Sequence, residues 1–132
     1  MDWRAAQSRF PSPLFDGVRS ALDALAHCTD WPTAADFNAL AAGLVNARGV
    51  PLRFVEAGVD TAAVHYETCI AETGEIATRP NQWHDMFNAL AWLSFPAAKG
   101  AINAQHAALL AERGDVEARA RSVERDVLTL FD

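Results

Sequence analysis

Hydrophobic and polar positions follow two different periods along the chain. Over residues 12–28 and 29–49, apolar side chains recur every three or four positions, which is the spacing of a helix that faces a core. Ser12 is suited to cap the first of these helices. Thr33 and Asp36 have the spacing of a capping box for the second. The N-terminal part of the chain therefore predicts two helices.

The period changes to two in the next part of the chain. Residues 52–58 are typical of a strand, and residues 63–79 have the pattern of a β-hairpin in which Gly74 supplies a turn with positive φ. The predicted fold class is α+β and mostly helical, with about five helices and one β-hairpin or small antiparallel sheet inserted after the second helix. We expect a single domain that spans residues 1–132. In the predicted hairpin, the more apolar face carries Val64, Tyr66, Thr68 and Ile70, which alternate with His65, Glu67 and Cys69.

The helical period returns after Pro80, and the predicted helix over 82–95 has an unusual polar face. A solvated face would carry Lys, Glu or Gln, and each large aromatic left in water would forfeit roughly 2 kcal/mol of burial. This second face is therefore predicted to be covered or to line a pocket. The core face should carry Trp83, Met86, Phe87, Leu90 and Leu93, and the opposite face carries His84, Asp85, Asn88, Trp92 and Phe95.

The following helix, predicted over 96–114, carries a second polar stripe. If the chain folds back at Phe95 and Pro96, the two stripes can converge into one pocket. A mixture of imidazole, carboxylate, amide, amine and guanidinium groups suits the binding of an anionic or polar ligand, or general acid–base chemistry. A last helix is predicted over 115–128. The second stripe consists of Lys99, Asn103 and His106, while Arg79, Asn81, Tyr66 and Glu67 precede the first stripe.

Composition narrows the classes of function. The net charge of −6 disfavours a nucleic-acid footprint, which needs a basic face. The sequence has neither a signal peptide nor an apolar run of the ~20 residues that span a membrane, so we expect a soluble, cytoplasmic protein. Cys28 and Cys69 form no CxxC motif and are expected to be reduced. His84 and Asn88 have the spacing of a helical metal pair, but Asn is a poor zinc ligand, so metal and cofactor stay open.

The run from Tyr66 to His106 carries a dense motif that resembles the bacterial domain-of-unknown-function family 3025. The resemblance implies no activity, but it implies that both polar stripes belong to one signature. Members of the family continue beyond this segment, which implies either a short member or a chain truncated at its C-terminus. A later match covers Arg125, Asp126, Leu128, Thr129, Phe131 and Asp132. The main motif is formed by Tyr66, Glu67, Gly74, Thr78, Arg79, Asn81, Trp83, His84, Asp85, Phe87, Asn88, Ala89, Leu90, Trp92, Phe95, Pro96, Lys99, Asn103 and His106.

Three functions remain open at this point. The first is the binding of a small polar or anionic ligand or of a protein partner, where the partner is either another protein or a second copy of this chain. The second is a metal-dependent hydrolase or nuclease-like enzyme whose catalytic groups would be His84, Asp85 and His106. The third is a buried polar network that only fixes the assembly of the helices. The ligand-binding residues of the first hypothesis are Tyr66, Glu67, Arg79, Asn81, Asn88, Trp92, Lys99 and Asn103.

Overall fold

A computed structural model describes residues 2–58, 63–117 and 127. That part of the chain contains six α-helices, one 3-10 helix and a sheet of two short strands, so the fold is mostly helical α+β. No helix within it is both long enough and apolar enough to cross a membrane. In chain order, the elements are α1 (Trp3–Gln7), the 3-10 helix (Pro13–Val18), α2 (Arg19–Ala24), α3 (Ala34–Leu40), β1 (Arg53–Glu56), α4 (Ala63–Thr73), β2 (Glu75–Thr78), α5 (Trp83–Ser94) and α6 (Pro96–Glu117).

The predicted antiparallel hairpin is wrong. Its first arm is helix α4, and the two strands are parallel, with Arg53 opposite Glu75. Parallel strands need a crossover connection, and α4 provides it. The alternating pattern suggested a strand because residues four apart, such as Tyr66 and Ile70, share a face in a strand and in a helix alike. The sheet also follows the third helix rather than the second, since the short α1 was not predicted.

Gly74 joins α4 directly to β2. Its φ is +73°, and its N–H donates to the carbonyl of Ile70 at 3.0 Å, which is a common way for a helix to end. A Cβ at this position would lie 2.0 Å from the carbonyl oxygen of Pro51. The positive φ was expected, but Gly74 ends a helix rather than turning a hairpin, and no other residue fits there.

The hydrophobic core lies between the helices and one face of the sheet. Helix α5 is central to it, because α5 contacts α2, α3, α6 and β2. The side chain of Asn46 ties α4 to the preceding loop by donating to the carbonyls of Ile70 and Ala71 at 2.8 and 3.0 Å. The largest fully buried side chains are Leu25, Phe37, Ile70, Ile76, Met86, Leu90 and Trp92.

The buried face of α5 is rotated from the predicted one. Phe87, which was predicted on the core face, is 41% exposed, whereas Trp92, which was predicted on the opposite side from the core, is 1% exposed. Phe95, also predicted on that opposite side, is 49% exposed. Phe87 instead stacks on Phe15 of the 3-10 helix at a centroid distance of 6.2 Å. Because α5 is covered by neighbours on several sides, its apolar stripe alone did not define its buried face. That face carries Asp85, Met86, Ala89, Leu90 and Trp92.

Several predicted boundaries of the helices also need correction. The predicted helix over 12–28 is divided into the 3-10 helix and α2, although Ser12 does cap the start by accepting from the N–H of Leu14. The predicted helix over 29–49 shortens to α3, which begins with the expected capping box.

The boundary between α5 and α6 was predicted correctly. The chain leaves helical geometry at Phe95, just before Pro96, as a residue that precedes proline tends to do. Gly114, expected to end the next helix, lies inside α6. Most of the helix predicted over 115–128 lies outside the described residues.

Candidate functional site

A carboxylate on α5 fixes an arginine at the end of β2. The backbone N–H and Nε of Arg79 donate to Oδ2 of Asp85 at 2.8 and 2.9 Å, and Nη2 donates to Oδ1 at 2.8 Å. Such a bidentate pair is directional as well as strong. The side chain of Asp85 is 10% exposed and that of Arg79 is 45% exposed. The guanidinium is therefore held from its buried side while its other side faces outward.

Asp85 and Arg79 are both charged at neutral pH. Burial raises the pKa of Asp85, but hydrogen bonds from the side chain and backbone of Arg79 and from His84 outweigh it and bring the pKa from 3.8 to about 2. The same hydrogen bond and the charge of Asp85 raise the pKa of Arg79 above its ordinary value. The pair is thus a permanent ion pair at neutral pH.

His84 lies beside this pair and is open to solvent. Its Nδ1 is 3.1 Å from Oδ1 of Asp85, and its side chain is 87% exposed. Because an ionised carboxylate only accepts hydrogen bonds, Nδ1 must carry the proton in this contact. In neutral His84, Nε2 is then the nitrogen with the lone pair.

A hydrogen bond between α4 and α5 forms the opposite side of the site. The side-chain amide of Asn88 donates to the hydroxyl of Tyr66 at 2.6 Å, and both residues are partly buried. Together these groups surround a cleft of about 190 Å³. We call it the Arg79 cleft, and its lining consists of Ala57, Tyr66, Ala77, Arg79, His84, Asp85 and Asn88.

The polar residues of α6 lie in a different environment. Lys99, Asn103 and His106 are 7%, 2% and 3% exposed. The amide of Asn103 donates to the backbone carbonyl of Glu67 at 2.8 Å and to its Oε2 at 2.7 Å. Lys99 Nζ lies 5.5 Å from the ring centroid of Trp92, a cation–π distance. We call Glu67, Trp92, Lys99, Asn103 and His106 the α6 polar set.

The predicted site residues therefore fall into two neighbouring groups. Tyr66 lines the Arg79 cleft, and the next residue, Glu67, accepts from Asn103 within the α6 polar set. Among the described residues that line the cleft, none comes from α6. Asn81 is exposed with a φ of +58° and borders two other depressions near Trp31. A shared role for the two polar stripes stays a prediction.

Two features of the structure were missed in the sequence. Ala57 and Ala77 line the cleft, but small apolar side chains carry no chemical signal. The described residues also contain one group of three side chains with possible metal-ligand geometry, and it does not include His84 or Asp85. That group is His27, Cys28 and Asp36, where the adjacent His and Cys were the available signal.

Comparisons with known proteins match only the C-terminal part of the chain. Residues 52–132, more than half of the sequence, match the model of a family described as protein of unknown function (DUF3025). All residues of the Arg79 cleft and the α6 polar set lie in this stretch, and His27, Cys28 and Asp36 lie before it. A search of curated proteins and a search of solved structures each found no match.

Proposed function

This chain belongs to the DUF3025 family of proteins of unknown function, and we propose that it binds a small anionic ligand, a carboxylate or a phosphate, in the Arg79 cleft. The observation that carries the proposal is the position of the Arg79 guanidinium, which Asp85 holds from behind while 45% of the side chain stays exposed. An arginine fixed in this way is ready to bind before the ligand arrives, which lowers the entropic cost of binding.

The guanidinium keeps donors for a ligand. Of its five N–H groups, Asp85 uses one on Nε and one on Nη2, which leaves two on Nη1 and one on Nη2. Their planar arrangement matches the oxygens of a carboxylate or a phosphate. The ion pair with Asp85 is neutral overall, so recognition depends on these short-range hydrogen bonds rather than on a long-range positive field.

The surroundings of Arg79 limit the ligand. A cleft of about 190 Å³ is smaller than the roughly 300–1,000 Å³ of pockets that bind drug-sized molecules. The net charge of −6 opposes extended polyanions. The imidazole of His84, the hydroxyl of Tyr66 and the amide of Asn88 line the same cleft and supply polar contacts for the rest of a small ligand.

The test measures how ligands shift the melting temperature of the protein. It compares a substitution of Arg79 with a control substitution of another arginine that also pairs with a carboxylate. Inorganic phosphate and succinate serve as probes against the wild type, Arg79→Gln and Arg53→Gln. Arg53 also pairs with a carboxylate, Glu75, but it lies outside the residues that line the Arg79 cleft. We expect at least one probe to stabilise the wild type and Arg53→Gln, but not Arg79→Gln. Equal shifts in all three proteins, or none with either probe in the wild type, would contradict the proposal.

A second candidate function is hydrolysis with His84 as general base, favoured by the contact of 3.1 Å between His84 Nδ1 and Asp85 Oδ1. This contact orients the imidazole so that Nε2 can take a proton from water, a role that contributes typically 10²–10⁴-fold to a rate. The assay is the hydrolysis of p-nitrophenyl phosphate and p-nitrophenyl acetate by the wild type, His84→Gln and His65→Gln, the last an exposed histidine of α4. Activity that survives His84→Gln would exclude this function.

A further inference from the structure

Three side chains that can bind a metal meet where the loop after α2 approaches α3. His27 and Cys28 lie shortly after the end of α2, and Asp36 lies in the first turn of α3. One potential ligand atom from each, a ring nitrogen, a sulfur and a carboxylate oxygen, lies within 4.8 Å of the others. This cluster lies outside the stretch matched by the family model, so it stands apart from the proposed function of the Arg79 cleft.

The imidazole of His27 is oriented as metal-binding histidines usually are. Its Nδ1 lies 2.9 Å from the carbonyl oxygen of Ala24, and since a carbonyl only accepts, Nδ1 carries the proton. The lone pair is then on Nε2, which lies 3.7 Å from Sγ of Cys28. A histidine that binds a metal commonly donates its other N–H to a carbonyl or carboxylate, which fixes the ring and its tautomer.

The carboxylate of Asp36 is held in place as well. Its Oδ2 accepts from the backbone N–H and from the hydroxyl of Thr33, both at 2.7 Å, in the capping box of α3. These two bonds leave Oδ1 outside the capping box. The helix cap therefore fixes the carboxylate while one oxygen remains for another contact.

We propose that His27, Cys28 and Asp36 bind a divalent transition-metal ion, for which Zn²⁺ is the best match. Zinc takes sulfur, imidazole nitrogen and carboxylate oxygen together, whereas magnesium and calcium prefer oxygen ligands alone. Tetrahedral zinc with a Zn–S bond of about 2.3 Å and a Zn–N bond of about 2.05 Å separates the two ligand atoms by about 3.6 Å. The observed separation of 3.7 Å agrees with this geometry. Water or an external ligand would complete the coordination.

Metal binding at this site must release a proton. A cysteine binds a metal ion as the thiolate, so the thiol of Cys28 must lose its hydrogen when the ion binds. When the ion binds, the S–H bond breaks, a bond from sulfur to metal forms and the proton passes to solvent. Affinity should therefore increase as the pH rises.

The experiment is a titration of the full chain with Co²⁺, which reports a bound thiolate by its charge-transfer absorption, followed by displacement with Zn²⁺. We expect one ion per chain and the release of one proton. Cys28→Ser should abolish the charge-transfer band. His27→Gln should weaken binding by more than the roughly 10–100-fold that follows the loss of an outer-shell partner. Circular dichroism establishes that each variant is folded.

Matched controls come from the other cysteine and from an exposed histidine. Cys69 is also partly buried and His65 is exposed, and neither belongs to the cluster. Cys69→Ser and His65→Gln should bind cobalt as the wild type does. The proposal is overturned if the wild type shows no charge-transfer band at excess cobalt, or if the band survives Cys28→Ser. Loss of the band in Cys69→Ser with retention in Cys28→Ser would assign the thiolate elsewhere and would also overturn it.

Discussion

The Arg79 cleft and the α6 polar set are built from similar side chains, but they differ in exposure. In the cleft, Arg79 and His84 have side chains that are 45% and 87% exposed. In the α6 polar set, Lys99, Asn103 and His106 are at most 7% exposed. The difference shows that the polar residues of one sequence motif can have two different environments. Some line a cleft and keep hydrogen-bonding groups for a ligand, and others are buried between packed helices.

The two environments imply different energetic roles. A buried polar group that loses its partner keeps the full cost of desolvation, about 1–3 kcal/mol, whereas an exposed group bonds to water instead. Substitutions in the α6 polar set should therefore lower the free energy of unfolding, and substitutions at the exposed groups of the cleft should change ligand binding. Two predictions compare the two regions directly, and a third tests the ion pair inside the Arg79 cleft.

The largest effect is expected at a matched pair of asparagines. Asn103→Ala removes both hydrogen bonds to Glu67 at a site that is 2% exposed, and should cost about 2–3 kcal/mol. Asn88→Ala removes one bond to Tyr66 at a partly buried site, and should cost about 1 kcal/mol or less. Urea unfolding of the two variants measures both values. If Asn88→Ala were the more damaging, the division into two regions would be wrong.

A matched pair of histidines gives the next largest difference. His106 is 3% exposed on α6, so His106→Ala should cost about 2 kcal/mol through lost packing and polar contacts. His84→Ala should change stability by no more than about 0.5 kcal/mol, because the side chain is 87% exposed. Thermal and urea unfolding report both changes. Similar losses in the two variants would show that His84 also belongs to the structural core.

The smallest effect is a pH dependence of the free energy of unfolding, which comes from the ion pair between Asp85 and Arg79. The pKa of Asp85 is lowered from 3.8 to about 2 in the folded state. Its contribution to the free energy of unfolding is therefore present above pH 4 and is lost as the pH falls towards 2. Between pH 5 and pH 3 the loss should be about 1 kcal/mol. Comparison of urea unfolding for the wild type and Asp85→Asn isolates this contribution. An identical pH dependence in both proteins would contradict the ion pair.

Local signals in the sequence predicted much of the helical structure. The capping box of Thr33 and Asp36, the cap at Ser12 and the break at Phe95 depend on a few adjacent residues, and each was recognised. The parallel sheet was missed because pairing of β1 with β2 depends on the crossover through α4. The 63–73 pattern fits two periods, and the pattern alone does not decide between a strand and the observed helix.

Several of the residues named from the sequence line the Arg79 cleft, but their arrangement was not predicted. Helical spacing placed Asp85 and His84 on one polar face, but burial of Trp92 and Asp85 depends on which neighbours cover α5. The prediction of one shared pocket did not take account of α4, whose adjacent residues contact different parts of the molecule. Tyr66 accepts from Asn88, and Glu67 accepts from Asn103. Tertiary contacts of this kind have no local signature in the sequence.

Side-chain amide signals test the central claim most directly, because Asn88 lines the Arg79 cleft and Asn103 belongs to the α6 polar set. In a ¹H–¹⁵N NMR titration with inorganic phosphate and succinate, we expect saturable shifts of the Asn88 side-chain amide and of the Arg79 Nε–H. The Asn103 amide should stay unchanged. The same shifts should be absent in Arg79→Gln. Saturable shifts at Asn103 without shifts at Asn88, or no saturable shift at either with both probes, would contradict a ligand site at the cleft.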